Sequence, residues 1–209
     1  MRRLVIVGAG GHAREIYGLA ADIRDEGGSW DLAGFVADDE PDVALLDRLG
    51  ASFLGDVDDL LTMDCDFAIG VGNCQLRQRL AHRLSSANDR IVSLVHPSAV
   101  IGRDITIGRG VVITAGVVVT TNVTIGDHTH LNIRSSVSHD CILGEFVTVS
   151  PGATVCGSVT LGDRVYVGAG ACIKQGIAIG DDTMIGAGAV VVTNAGPDQT
   201  LVGVPARPR

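Results

Sequence analysis

Residues 101–131 read IGRDITIGRGVVITAGVVVTTNVTIGDHTHL. An aliphatic side chain returns at every sixth position: Ile101, Ile107, Ile113, Val119, Ile125 and Leu131. The series continues unbroken through Val137, Leu143, Val149, Val155, Leu161, Val167, Ile173, Ile179, Ile185 and Val191. In a chain that is 46% hydrophobic, such a run arises by chance with odds on the order of 10⁻⁵. A second series, two residues ahead of the next aliphatic, is small or β-branched: Val111, Val117, Val123, Thr129, Ser135, Cys141 and onward to Ala189. Glycine follows the first series by one residue at Gly102, Gly108, Gly126, Gly144, Gly162, Gly168, Gly180 and Gly186.

A strand alternates its faces every residue, so positions two apart point the same way. Each repeat therefore supplies a short strand with two inward side chains, followed by a turn. Glycine just after the inward aliphatic is expected to supply the unusual backbone angles of the corner. Three short sides close a triangular coil, and coils stack by parallel pairing. This is the hexapeptide pattern of a left-handed parallel β-helix. The strands of a sandwich are spaced by turns at irregular intervals, which a phase held over this length does not fit.

Outward from the repeat, residues 1–95 change character. Leu4–Val7 reads as a buried strand, the run Gly8 to Ala13 as a glycine turn, and the segment from Arg14 to about Arg24 as a helix. A second strand, Ala33–Val36, ends in Asp38-Asp39; a third, Asp66–Gly72, precedes a helix from Cys74 to about Leu84; and Ile91–Val95 closes the segment. This β-α-β alternation predicts a small parallel sheet, an α/β Rossmann-like subdomain too short for a complete dinucleotide fold. Gly8, Gly10 and Ala13 fit G-x-G-x-x-G/A, which offers backbone N–H groups and a helix N-terminus to phosphate. His96-Pro97 marks the exit into the β-helix, so the expected organisation is 1–95 and 96–209, the latter including a C-terminal tail.

Composition narrows the partners. The 209 residues carry a net charge of −8, and no basic cluster tracks a phosphate backbone, so nucleic acid is not an expected partner. No apolar run reaches membrane length and Gly8 cuts short the only signal-like start, so no membrane partner is expected either. Five cysteines form no C-x-x-C pair, which suits reduced thiols and a cytoplasmic location.

Histidine carries most acid–base chemistry near neutral pH. His82 is expected on a helix surface and His96 in a structural role. His128, His130 and His139 fall at non-inward positions of the β-helix, facing outward or at corners. A zinc site built from His128, His130 and His139 would resemble that of β-helical carbonic anhydrases, but their phases in the repeat all differ, so no metal is expected. His139-Asp140 fits a general base beside its orienting carboxylate.

Several motifs taken together resemble the sialic-acid O-acetyltransferase-like family of sugar acyltransferases. They are Val7-Gly8-Ala9-Gly10-Gly11-His12, Phe35-Val36-Ala37-Asp38-Asp39, Val71-Gly72-Asn73 with Arg77, Ser138-His139-Asp140-Cys141, and Val202-Gly203-Val204-Pro205-Ala206-Arg207. Within it, the chain is most similar to bacterial nucleotide-aminosugar N-acetyltransferases of the bacillosamine and perosamine pathways. The resemblance implies that His139 takes a proton from the attacking sugar and Asp140 raises its basicity, where some relatives carry Glu. It implies that Gly10, Gly11, His12, Asp38, Asp39 and Gly72 hold a nucleotide-linked aminosugar. It implies that Gly157, Ala169 and Ala187 line an acetyl-CoA channel, with the Gly157 N–H facing the oxyanion. Thr148 stands where some relatives have a second His against acetyl-CoA. A homotrimer with active sites between neighbours is also implied. O-acetylation of a sugar such as sialic acid fits the same residues. A metal-dependent carbonic anhydrase and a non-catalytic binding protein are the readings from other classes.

Overall fold

The computed structural model describes residues 2–209 and divides into two compact units, one ending at Pro97 and one beginning at Ser98.

In the first unit, β1 (Arg2–Val7), β2 (Trp30–Val36), β3 (Ser52–Phe53) and β4 (Asp66–Ile69) form a parallel sheet in the order β3-β2-β1-β4. Helix α1 (Gly11–Asp25) follows β1, α2 (Val43–Asp47) follows β2, and α3 (Cys74–Arg83) follows β4. Leu4 to Val7 are wholly buried because helices cover both faces of such a sheet. Helix α1 starts at Gly11 rather than Arg14, so glycines expected in the turn form the first helical residues. Strand order reverses between β1 and β4, which opens a crevice beyond their carboxyl ends. Gly70, just past β4, lies where a Cβ would meet Ala13 Cα at 2.7 Å. Both positions must stay small for α1 to seat against the sheet.

The second unit is a three-sided parallel β-helix. Ser136 pairs with Val118 before it and Thr154 after it, and this step of 18 residues recurs in the hydrogen bonds between coils. Side 1 stacks residues 112–113, 130–131, 148–149, 166–167 and 184–185. Side 2 stacks 100–101, 118–119, 136–137, 154–155, 172–173 and 190–191. Side 3 stacks 106–107, 124–125, 142–143, 160–161 and 178–179. Inward aliphatics from Ile113 to Val191 are buried, each worth about 1.5–3 kcal/mol. The inward hydroxyls of Thr129 and Thr183 donate to Gly144 O and Gly196 O, both at 2.9 Å, so they cost little. Strand Thr200–Val202 extends side 1, and Arg207–Pro208 pairs with it antiparallel.

The expected corner chemistry is corrected. Left-handed backbone recurs three residues after the inward aliphatic, not one, and mostly on side chains other than glycine: Asp104, Asn122, His128, Arg134, Asp140, Phe146, Ser158 and Arg164 all have φ between 53° and 58° or near it, up to 60° at Asp140. Each costs about 1–2 kcal/mol in isolation. Hydrogen bonds to the preceding coil hold them there, as Asp140 N donates to Thr121 O at 3.1 Å and Ser158 N to His139 O at 2.8 Å. The glycines just after the aliphatics serve close approach instead. A Cβ on Gly126 would meet Gly144 C at 2.5 Å, and one on Gly144 would meet Asp163 N at 2.8 Å. Neighbouring carboxylates bind the same edge, with Asp127 Oδ1 accepting from Arg109 N at 2.8 Å and Asp163 Oδ1 from Glu145 N at 2.9 Å.

Candidate active site

The crevice of the first unit is a cavity of about 510 Å³ lined by the glycine turn, the end of β2 and the loop after β4. Gly10, Gly11, His12, Asp38, Asp39 and Gly72 all line it. Gly10 caps α1 without a side-chain cap, and no acidic residue occupies the first turn. A helix begins with N–H groups that have no intrahelical acceptor, and the dipole adds positive potential, so an anion fits this end. Arg14 Nη1 donates to Ala9 O at 3.1 Å and steadies the turn.

Arg77 of α3 is fully buried beneath the loop, where its Nη1 donates to Val71 O at 2.7 Å and Gly72 O at 3.2 Å. Burial pushes its guanidinium down to about 10, so it stays charged at neutral pH. Sequence pointed to Arg77 only as part of a motif; its work is to fix two carbonyls of the cavity floor. Burial also lowers the His12 pKa below its ordinary value, against the raising effect of Glu15, whose Oε2 lies 3.1 Å from His12 Nδ1. His12 is therefore neutral at neutral pH.

The two aspartates differ. Asp38 Oδ2 accepts from Arg83 Nη1 at 2.6 Å, and its Oδ1 accepts from Val57 N at 3.4 Å. Arg83 also reaches Asp58 at 2.7 Å, so Asp38 is tied into a rim network. Asp39 is exposed beside it.

In the second unit, His139 and Asp140 lie on the edge between sides 2 and 3. His139 Nδ1 and Asp140 Oδ2 are 2.7 Å apart, and Asn122 Nδ2, one coil earlier, donates to Asp140 Oδ1 at 3.1 Å. These donors, His139 first and Asn122 second, hold the Asp140 carboxyl below the usual range, so it is ionised. An ionised carboxylate only accepts. Its partner nitrogen Nδ1 must then carry a proton, and in the neutral ring this leaves the lone pair on Nε2. Gly157 lies one coil later on this edge. A Cβ there would stand 2.4 Å from His139 Cε1 and 2.5 Å from Nε2, so the imidazole rests against the Gly157 backbone. No backbone hydrogen bond among the described residues uses the Gly157 N–H. Asn122 was not legible as part of this group, since an 18-residue step separates it from Asp140.

Ala169 and Ala187 stack, both exposed, on the edge between sides 1 and 2, so side 2 lies between them and the His139 edge. Thr148 does not join either edge. It lies in side 1 between His130 and Tyr166 with 2% exposure, leaving its hydroxyl almost no surface for a ligand. This is the position at which the resemblance implies a contact with acetyl-CoA. His128 and His130, expected outward or at corners, are both buried, His128 at a corner with its ring stacked on Phe146 at 4.8 Å. His139 is far more exposed, on a different edge. Among the described residues, no group of three or more His, Cys, Asp or Glu is placed to hold a metal ion.

Comparison with known proteins agrees with this division. Residues 3–84 match the PglD N-terminal domain, residues 98–121 the hexapeptide repeat of succinyl-transferase, and residues 158–193 the bacterial transferase hexapeptide. The acetyltransferase domain of PglB from Neisseria gonorrhoeae FA1090 superposes with a TM-score of 0.89 at 30% identity, covering 100% of both chains. PerB from Caulobacter crescentus, solved with CoA and GDP-perosamine, gives 0.86 at 32% identity over 99% of this chain and 96% of that one. The chain belongs to the sugar N-acetyltransferases of bacillosamine and perosamine type. GDP-perosamine N-acetyltransferase of Escherichia coli O157:H7 is 35% identical over 87 residues, a match spanning 39% of that protein's length. No helix among the described residues is long and apolar enough to cross a membrane.

Proposed function

We propose that the protein transfers the acetyl group of acetyl-CoA to the amine of a nucleotide-linked aminosugar, with His139 as general base. The observation that carries this is the His139–Asp140 pair resting on Gly157. Asp140 holds the ring proton on Nδ1, so Nε2 accepts a proton from the sugar amine as it attacks the thioester carbonyl. The tetrahedral oxyanion is stabilised by the Gly157 N–H, and collapse expels CoA thiolate. A thioester is already activated, so alignment and one proton transfer supply the chemistry. Ala169 and Ala187 line the acetyl-CoA channel through backbone groups. The glycine turn and the N-terminus of α1 hold the diphosphate, His12 and Gly72 bound the pocket, and Asp39, with Asp38 behind it, accepts hydrogen bonds from ribose or base. The relative solved with CoA and GDP-perosamine supports both substrate classes.

The working form is proposed as a cytoplasmic homotrimer, with active sites in the grooves between neighbouring β-helices. His139→Ala tests the central role: it removes turnover by about 10²–10⁴-fold while the protein remains folded, because the side chain is half-exposed. Near-normal turnover in this variant would refute the assignment.

A further inference from the structure

Asp140 is solvent-exposed on a sharp corner, so it needs something other than burial to keep its carboxylate in one orientation. Two donors reach it, one on each oxygen: His139 Nδ1 on Oδ2 at 2.7 Å and Asn122 Nδ2 on Oδ1 at 3.1 Å. The Asn122 amide is itself held. Thr121 Oγ1 lies 3.2 Å from Asn122 Oδ1 and 2.9 Å from Arg103 O, so its hydroxyl proton is shared between two acceptors. This fixes the amide with its NH₂ toward Asp140. Asn122 occupies left-handed backbone at φ 53°, a conformation that Asn, Asp and Gly tolerate. Of these three, only Asn places a neutral donor beside the carboxylate.

We propose that Asn122 is a positioning residue for the base: it clamps Asp140 Oδ1 so that Oδ2 keeps the His139 ring in its Nδ1–H tautomer with Nε2 free to accept a proton. Asn122 touches neither substrate nor reacting atoms and acts through Asp140. The word base rests on the acetyl-transfer reading, whereas the tautomer claim stands independently of it.

Two variants keep the backbone and change only the donor. Asn122→Gly removes the amide without straining φ. Asn122→Asp replaces it with a group that cannot donate when ionised and that repels Asp140. The measurement is ¹⁵N NMR of the histidine rings, with the His139 signals assigned by their loss in His139→Gln. In the natural protein the His139 ring is expected as the Nδ1–H form. In Asn122→Gly it shifts toward the Nε2–H form, and turnover falls about 10–100-fold with both KM values and Tm unchanged. Asn122→Asp loses at least as much at neutral pH. Relative to the natural protein at each pH, it recovers as acid restores a proton to the carboxylate pair, because a protonated Asp donates as the amide did. An unchanged His139 tautomer in Asn122→Gly overturns the proposal, as does a loss of turnover matched by a fall in Tm. If the natural protein acetylates no aminosugar, the functional reading fails while the ring spectra still decide the role of Asn122.

Discussion

Gly157→Ala is the substitution whose consequence the structure fixes most closely. The backbone of Gly157 is not in the left-handed region, so alanine is allowed there. Its new methyl would stand 2.4 Å from His139 Cε1, 2.5 Å from Nε2 and 3.0 Å from Nδ1. Ordinary carbon contacts begin near about 3.5 Å, so the ring or the coil must yield by roughly 1 Å. The coil is the stiffer partner: Gly157 O accepts from Gly176 N at 2.9 Å, and Ser158 N donates to His139 O at 2.8 Å. The ring is half-exposed and free to rotate outward, which breaks its 2.7 Å contact with Asp140. A displacement of about 1 Å in a catalytic group costs on the order of 10²-fold in rate, or ~2.7 kcal/mol of barrier. The fold gains rather than loses, since alanine at a compatible position stabilises by about 0.4–1 kcal/mol. Steady-state thiol release should therefore show kcat down about 100-fold, with Tm equal to or above that of the natural protein. Natural kcat in Gly157→Ala would refute the placement of the ring, and an unfolded variant would refute the claim that the coil does not move.

Other expectations follow from the same geometry. Gly126→Ala drives a Cβ to 2.5 Å from backbone of the next coil, where nothing can rotate away, and should cost about 1–3 kcal/mol; thermal unfolding reads it as a lowered Tm. Asp38→Ala and Asp39→Ala should both raise KM for the nucleotide-sugar but not for acetyl-CoA. Only the Asp38 variant should also lose stability, by no more than about 1 kcal/mol because its pair with Arg83 is half-exposed. Burial depresses the folded pKa of His12, so its contribution to stability is complete above the unfolded value of about 6.5 and is lost as pH falls through the lower, folded value. Tm measured against pH should therefore fall less steeply on the acid side in His12→Gln.

Much of this was legible in the sequence because the β-helix is close to one-dimensional. A period of six names its inward residues, and His139-Asp140 is a local pair that shows without a fold. What was hidden depends on stacking between coils. The glycines at Gly126 and Gly144 look like turn formers but are clearance for the next coil, and the left-handed corners fall on Asn122, Asp140 and Ser158, held by hydrogen bonds across coils. Asn122 and Gly157 meet the His139–Asp140 pair from the coils on either side, a relation visible only once the step between coils is known. Thr148 drew notice only because it stands where some relatives carry a His, and nothing in the repeat told that its side chain is buried. Asp38 showed as an acid at a strand end, but its partner Arg83 lies 45 positions away.

The most direct test is thiol release from acetyl-CoA offered GDP-, UDP- and dTDP-linked aminosugars in turn, with the product examined by NMR. The account predicts CoA release with at least one of them and a new amide on the sugar nitrogen. No release with any aminosugar, or acetyl found on a hydroxyl while the amine stays free, would contradict it.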